Sequence, residues 1–197
     1  SATNFNGDIS EWDVSNVTTF SNMFVNNHEF NSDISSWDVS SASTLQAMFY
    51  HAYQFNADIS SWNVSNINSM HRLFDSAGSF DQDLSSWDVS NVTDMYAMFS
   101  NATSFNANIS SWDVASVIVM PFIFNNASSF NQDLSSWDVS NVTSMSQAFN
   151  NTVLLSDENK CAIHTSWSTN SAWTYDWSGF CLTTEIFQPQ TRAELQA

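Results

Sequence analysis

Phe80-Asp81-Gln82-Asp83-Leu84-Ser85-Ser86-Trp87-Asp88-Val89-Ser90-Asn91-Val92-Thr93-Asp94-Met95-Tyr96-Ala97-Met98-Phe99, closed by Ser100 to Ser104, is one copy of a unit that recurs along most of this chain. Phe5, Phe30, Phe55, Phe80, Phe105 and Phe130 fall 25 residues apart without insertion or deletion, and so do Trp12, Trp37, Trp62, Trp87, Trp112 and Trp137. Val14 and Phe24 head two more unbroken rows, and Ile or Leu recurs at Ile9 and its counterparts. A strict period of this length marks a repeat architecture, in which one unit is too small to bury its own apolar residues and neighbouring units must do it.

Within a unit, Trp12-Asp13-Val14-Ser15 alternates apolar and polar residues, the pattern of a short strand with Trp and Val inward. Val17, Phe20, Met23 and Phe24 follow at helical spacing, with Ser15 or Asn16 as N-cap. The Asn- and Ser-rich remainder reads as turn. These patterns predict a repeat solenoid that is leucine-rich-repeat-like, with short parallel strands on one face and short helical or 3₁₀ turns on the other. Six coils over residues 1–155 would be followed by a C-terminal cap over 156–197. The Trp, Phe, Val and Met rows are expected to be core rather than a ligand platform.

Charge narrows the partners. Three Lys and Arg against twenty Asp and Glu give a formal charge of -17, which leaves no basic patch for nucleic acid or for an anionic membrane. No apolar run is long enough for a membrane span. Only three glycines are present, and no phosphate loop or nucleophile motif stands out, so no enzymatic activity is expected. Cys161 and Cys181 lie outside the repeats; a disulfide is favoured over two free thiols because the chain is poor in Lys and rich in N-x-S/T sequons, both pointing outside the cell. Asn16, Asn91, Asn101, Asn126 and Asn141 are the candidate glycosylation sites, with Asn101 and Asn126 expected to be the most accessible. The N-terminus carries no signal-peptide pattern, so a secreted form would be a processed piece.

The unit F-N-x-D-I-S-S-W-D-V-S-N-V-T-x-M-x-x-M-F resembles the repeat of BspA-like leucine-rich-repeat surface proteins, over about residues 4–155. The resemblance implies a solenoid and an extracellular life in adhesion or surface coats, and it brings no catalytic residues. Thr191 to Ala197 resemble the start of a following module in longer family members.

Three polar rows accompany the apolar ones. Asp13, Asp38, Asn63, Asp88, Asp113 and Asp138 are read as the outward strand position and as a binding face for protein or glycan. Asp8, Asp33, Asp58, Asp83 and Asp133, with Asn108 completing the row, could hold calcium or cap turns. The Asn6 row is read as turn-capping. Carboxylates one strand spacing apart, about 4.8 Å, repel, so hydrogen bonds or cations must relieve them. No cofactor other than calcium suggests itself. His28, His51, His71 and His164 sit at unrelated offsets and are given no role. The resulting expectation is a non-enzymatic cell-surface module for adhesion. A self-assembling filament subunit, joined head to tail through an uncapped first coil, is the alternative. Ice binding is a third reading, weakened because the Thr18, Thr93, Thr143 row is interrupted by Ser43, Asn68 and Ile118.

Overall fold

A computed structural model describes residues 3–182. It corrects the expected fold class. Among the described residues there is one α-helix, α1 (Asp157–Trp167), one 3₁₀ turn, η1 (Ser178–Leu182), and neither strand nor sheet. This is not a strand-based leucine-rich-repeat arrangement. Parallel pairing is reduced to isolated bridges, from Thr44 to Ser69 and on through Asp94 and Val119 to Ser144.

Both local readings are overturned for physical reasons. Trp12-Asp13-Val14-Ser15 is no strand because the Asp13 carboxylate folds over to accept from Ser15 N at 3.1 Å, and Val17 N then donates to Val14 O at 2.9 Å. The apolar–polar alternation therefore marks consecutive tight turns. The expected helix over Val17–Phe24 fails because Asn22 and Asn26 have φ of 61° and 56°. Asn22 and Asn26 point their own N–H groups at the next coil, at Gln46 O and Tyr50 O, and the N–H that follows each, of Met23 and Asn27, turns back to Phe20 O and Phe24 O of its own coil.

That alternation recurs in every coil and joins the coils. Phe20, Asn22, Phe24 and Asn26 donate their N–H groups to the carbonyls of Thr44, Gln46, Met48 and Tyr50, at 2.8–3.3 Å. The next junction repeats this with Leu45, Ala47, Phe49 and His51, and the pattern runs on to Asn126 bonding Asn150. Between these bonds, turns such as Met23 N to Phe20 O satisfy the intervening donors. The left-handed positions are filled by Ala47, Arg72, Ala97, Phe122 and Gln147, residues that ordinarily avoid it at a cost of about 1–2 kcal/mol. The intervening position 21 has its own device: Ser21, Gln46 and Tyr96 N–H groups bond the side chains of Thr19, Thr44 and Asp94. In the fifth coil Val119 removes the acceptor and Pro121 removes the donor together.

The core is a set of stacked rows. Phe49 lies 5.8 Å from Phe74 with planes 4° apart, and Phe55 stacks on Phe80 at 5.7 Å. Within one coil Phe49 and Phe55 are 3.7 Å apart, so the two Phe rows interlock. Each buried Trp of the coils also ties coils together: Trp37, Trp62, Trp87, Trp112 and Trp137 donate Nε1–H to the carbonyl of Ile9, Ile34, Ile59, Leu84 and Ile109, at 2.9–3.1 Å, whereas the Nε1 of Trp167, buried in α1, has no such partner. A buried indole N–H without a partner would cost about 1–3 kcal/mol. The period thus serves packing and polar satisfaction at once.

α1 covers the sixth coil by reproducing the contacts of a seventh. Leu155 takes the Phe position, Ser156 N donates to Asn131 Oδ1, and Ser166 Oγ donates to Ser135 O. Trp167 stacks on Trp137 at 6.0 Å, while Trp173, Tyr175 and Trp177 crowd around Phe149. Cys161 and Cys181 form a disulfide that ties α1 to η1. The module-like stretch 191–197 lies outside the described residues. At the opposite end Phe5 and Trp12 are 37% and 53% exposed, whereas their counterparts in later coils are buried.

Gln147 is exposed at φ 54°, so it isolates the backbone term. Gln147→Gly should leave stability unchanged or raise it by up to about 1 kcal/mol, whereas Gln147→Val should lower it by about 1–2 kcal/mol. Urea unfolding midpoints of the two variants check this, and equal midpoints would contradict it.

Candidate functional site

The two aspartate rows prove to be turn-formers. Asp8, Asp33, Asp58, Asp83 and Asp133 each accept the N–H of the serine two residues on, at 2.8–3.0 Å, and Asn108 does the same. Asp13, Asp38, Asn63, Asp88 and Asp138 repeat the arrangement with Ser15, Ser40, Ser65, Ser90 and Ser140, and Asp113 with Ala115. The Asp13 row is exposed, but it projects from a turn rather than from a sheet face, and Oδ1 of each residue is committed to that turn. Among the described residues no three His, Cys, Asp or Glu side chains converge as a metal site.

The Asn6 row differs from the expected turn caps because it bonds between coils. Asn6, Asn31, Asn56, Asp81, Asn106 and Asn131 each accept, through Oδ1, the N–H of the residue 25 positions later, at 2.7–3.0 Å. Sequon asparagines are similarly engaged. Asn91 and Asn141 donate Nδ2–H to the carbonyls of Ser65 and Ala115, and Asn126 donates to Asn101 Oδ1. Asn101 and Asn126 are half-buried, contrary to the accessibility expected of them, while Asn16 on the first coil is exposed with only a 3.4 Å contact to Ser15.

Where the six copies disagree is more informative. Apart from position 7 (Gly7, Ser32, Ala57, Gln82, Ala107 and Gln132), positions 5–17 of the unit are nearly uniform, most of them held by core packing, a turn bond or a ladder bond. Differences gather at positions 18–29: Ser21, Gln46, His71, Tyr96, Pro121 and Ser146 share one row; Val25, Tyr50, Asp75, Ser100, Asn125 and Asn150 share another. This is the edge built by the left-handed turns, where a backbone ladder common to all coils carries the inter-coil bonding and side-chain bonds, such as Asn126 Nδ2–H to Asn101 Oδ1 and Asn101 Nδ2–H to Asp75 Oδ1, are added only in some coils.

That edge concentrates what the rest of the repeat lacks. His28 stacks on Tyr53 at 4.6 Å, Tyr50 contacts His51 at 3.9 Å, and His71 stacks on Tyr96 at 4.7 Å. Arg72, the one basic residue of the coils, lies between the Tyr50 and Tyr96 rings at 5.3 and 5.5 Å. Its Nε is 3.7 Å from Asp75 Oδ2. Asp75 is buried, 6% exposed, and accepts from Ser76 Oγ and Asn101 Nδ2. Burial pushes its carboxyl above the usual range despite those bonds and Arg72. His71 Nδ1 also meets Asp94 Oδ2 at 3.2 Å.

Of the histidines given no role for their unrelated offsets, His28, His51 and His71 therefore share one edge, because positions 21, 26 and 28 of the unit lie along a single run of turns, while His164 lies in α1 and accepts from Trp173 Nε1–H. Comparing the copies position by position, rather than histidine by histidine, is the signal that finds it.

Serine hydrogen bonds hold the exposed carboxylates below their ordinary range. The backbone N–H is the larger cause for Asp8, Asp58, Asp83 and Asp138, the hydroxyl for Asp13, Asp33, Asp38 and Asp88. A carboxyl that ionises more readily when folded contributes stability above its unfolded pKa of about 3.9. That contribution is lost as pH falls further, through the folded value. The melting temperature should thus hold between pH 7 and 5 and drop below about pH 4; a rise on acidification would contradict this assignment.

No curated protein matches the chain. A family model described as "Mycoplasma protein of unknown function, DUF285" matches residues 1–86 and 74–177, across the repeats and into the cap. With most of its length covered, the chain belongs to that family.

Proposed function

We propose that this protein is a non-enzymatic, extracellular surface module of the BspA-like kind, binding protein or glycan along the edge where its coils differ. The observation that carries the reading is the division of labour within the repeat. Most of positions 5–17 are fixed by packing, turn bonds and ladders, and the aromatic, histidine and arginine departures fall together on the other edge. Tyrosine and arginine are the side chains that dominate recognition surfaces, since each combines a flat apolar area with a polar tip. The disulfide and the near absence of Lys favour an oxidising, extracellular setting.

The Asp13 row is a poorer candidate for the binding face, because its geometry is already explained by the turns it closes. Head-to-tail assembly meets an obstacle at one end, where α1 and its aromatic cluster cover the sixth coil. The Thr18 row is exposed yet chemically mixed, with Ile118 47% exposed between threonines, which suits an ice surface poorly.

The test replaces edge residues by those other copies carry at the same position: Tyr50→Ser, Tyr53→Thr, Arg72→Ala and Tyr96→Ser together. Wild type and this variant are applied to a glycan array and to immobilised extracellular-matrix proteins. Binding should fall at least tenfold in the edge variant and survive in a chain with Asp13, Asp38, Asp88, Asp113 and Asp138 changed to Asn. The reverse result would return recognition to the aspartate row.

A further inference from the structure

Gly78 occupies a place that its backbone does not require. No glycine among the described residues has a positive φ, and a Cβ built on Gly78 would meet Thr103 Oγ1 at 3.5 Å and Tyr53 O at 3.9 Å, ordinary contact distances. A side chain would fit there, and glycine forfeits about 0.5–1 kcal/mol relative to alanine wherever its freedom is not used. What the glycine provides is empty space.

The surroundings define that space. His28, Tyr53, Gly78 and Thr103 form one row on successive coils, held in register by Gln54 N to His28 O, Ser79 N to Tyr53 O and Ser104 N to Gly78 O, each 3.1 Å. Tyr53 stacks on His28 on one side and is 43% exposed. On its other side the next coil offers no side chain. Thr103 stands beyond the gap, its Oγ1 donating to Gly78 O at 3.2 Å. Tyr53 and Thr103 stand two coils apart, and equivalent rings one coil apart lie 5.7 Å (Phe55, Phe80) and 6.1 Å (Phe80, Phe105) from each other, so the unfilled place between them has the thickness of one ring.

We infer that this slot binds a single neutral sugar ring of a glycan, seated on Tyr53 in the place of the missing side chain. The inference rests on the variable edge being the recognition face, and it names the ligand class. Three features select a pyranose. The floor is an aromatic face suited to an apolar C–H surface. The neighbouring positions are mostly uncharged and polar: Gln54, Ser79 and Ser104 follow the row in sequence and Ser76 precedes Gly78, while the His51 ring lies 5.7 Å from Tyr53. A purely aromatic ring would cover those groups without returning hydrogen bonds, at a cost a ring of hydroxyls avoids. The formal charge of -17 disfavours polyanionic glycans.

The experiment titrates the isotope-labelled 197-residue chain with glucose, galactose, mannose and N-acetylglucosamine, following the Gly78 amide resonance. N-acetylphenylalaninamide and galacturonate are titrated in parallel. One neutral sugar should shift that resonance with a dissociation constant of about 1 mM, the affinity expected of a single small contact. Gly78→His, which continues the row begun by His28 and fills the slot, should weaken binding at least tenfold with its melting temperature preserved. Tyr53→Ala should do the same by removing the floor. Silence from all four neutral sugars, or binding that survives Gly78→His, overturns the proposal. A response to N-acetylphenylalaninamide alone would give the slot to a protein partner, and one to galacturonate alone to an acidic glycan. Array binding that is lost in the edge variant but kept in Gly78→His would sink the slot while leaving the edge as recognition face.

Discussion

Everything in this molecule depends on the four backbone hydrogen bonds that each coil sends to the next from every second residue, as from Phe20, Asn22, Phe24 and Asn26. This bonding along the stack goes with two left-handed residues per coil, four positions apart as at Asn22 and Asn26, which breaks both helix and extended strand. It also requires every coil to present its carbonyls at the same height. One inserted residue would displace the donors of a coil from their acceptors. It would equally misplace the Trp indole, the Asn6-type amide and both Phe rings, each of which meets its counterpart at a fixed offset. The constancy of the 25-residue period is therefore over-determined, by backbone, polar ladders and core together.

Because backbone bonding holds the coils, the side chains at position 22 of the left-handed edge need not be alike, although Asn101 and Asn126 of the same edge add side-chain bonds between coils. Ala47, Arg72, Ala97 and Phe122 share a φ near 51–59° although they share no chemistry. Opposite conditions hold on the remaining perimeter. There Asp8 and Asp13 each close a turn and Asn6 bridges coils, so replacement removes a bond as well as a side chain. A repeat divided in this way can vary its recognition chemistry coil by coil without touching its stability.

The sequence made the core legible and the backbone illegible. Identical Trp, Phe and Val at one period reveal stacked units whatever their secondary structure, since packing needs only like beside like. Trp12-Asp13-Val14-Ser15 misleads because an Asx turn followed by another tight turn also brings every second side chain inward. Val17 to Phe24 misleads because helical spacing survives in a run of turns, and because nothing about Ala47 or Phe122 announces a left-handed backbone. The three aspartate and asparagine rows were visible as rows, yet only geometry separates those that close a turn from the one that joins coils. The aromatic edge was hidden by reading His28, His51 and His71 as individuals.

Acidity, finally, takes on a different meaning in this frame. Carboxylates stacked at coil spacing would repel one another, yet Asp8, Asp13, Asp33, Asp38, Asp58, Asp83, Asp88 and Asp138 are held below their ordinary range by the serine two residues along, which offsets that repulsion. Most of the charge is spread over the constant perimeter, whereas the edge carries Arg72, Asp75, Asp94 and Glu29 among neutral hydroxyl and amide groups. A surface of this kind keeps copies of the chain apart in solution and repels polyanions over the whole molecule. Recognition is then left to short-range contact at the one stretch where aromatic faces are available. The selectivity proposed for a neutral ring at Gly78 would rest on that combination: long-range charge repels acidic ligands before contact, and a gap in a row of stacked side chains suits a ring.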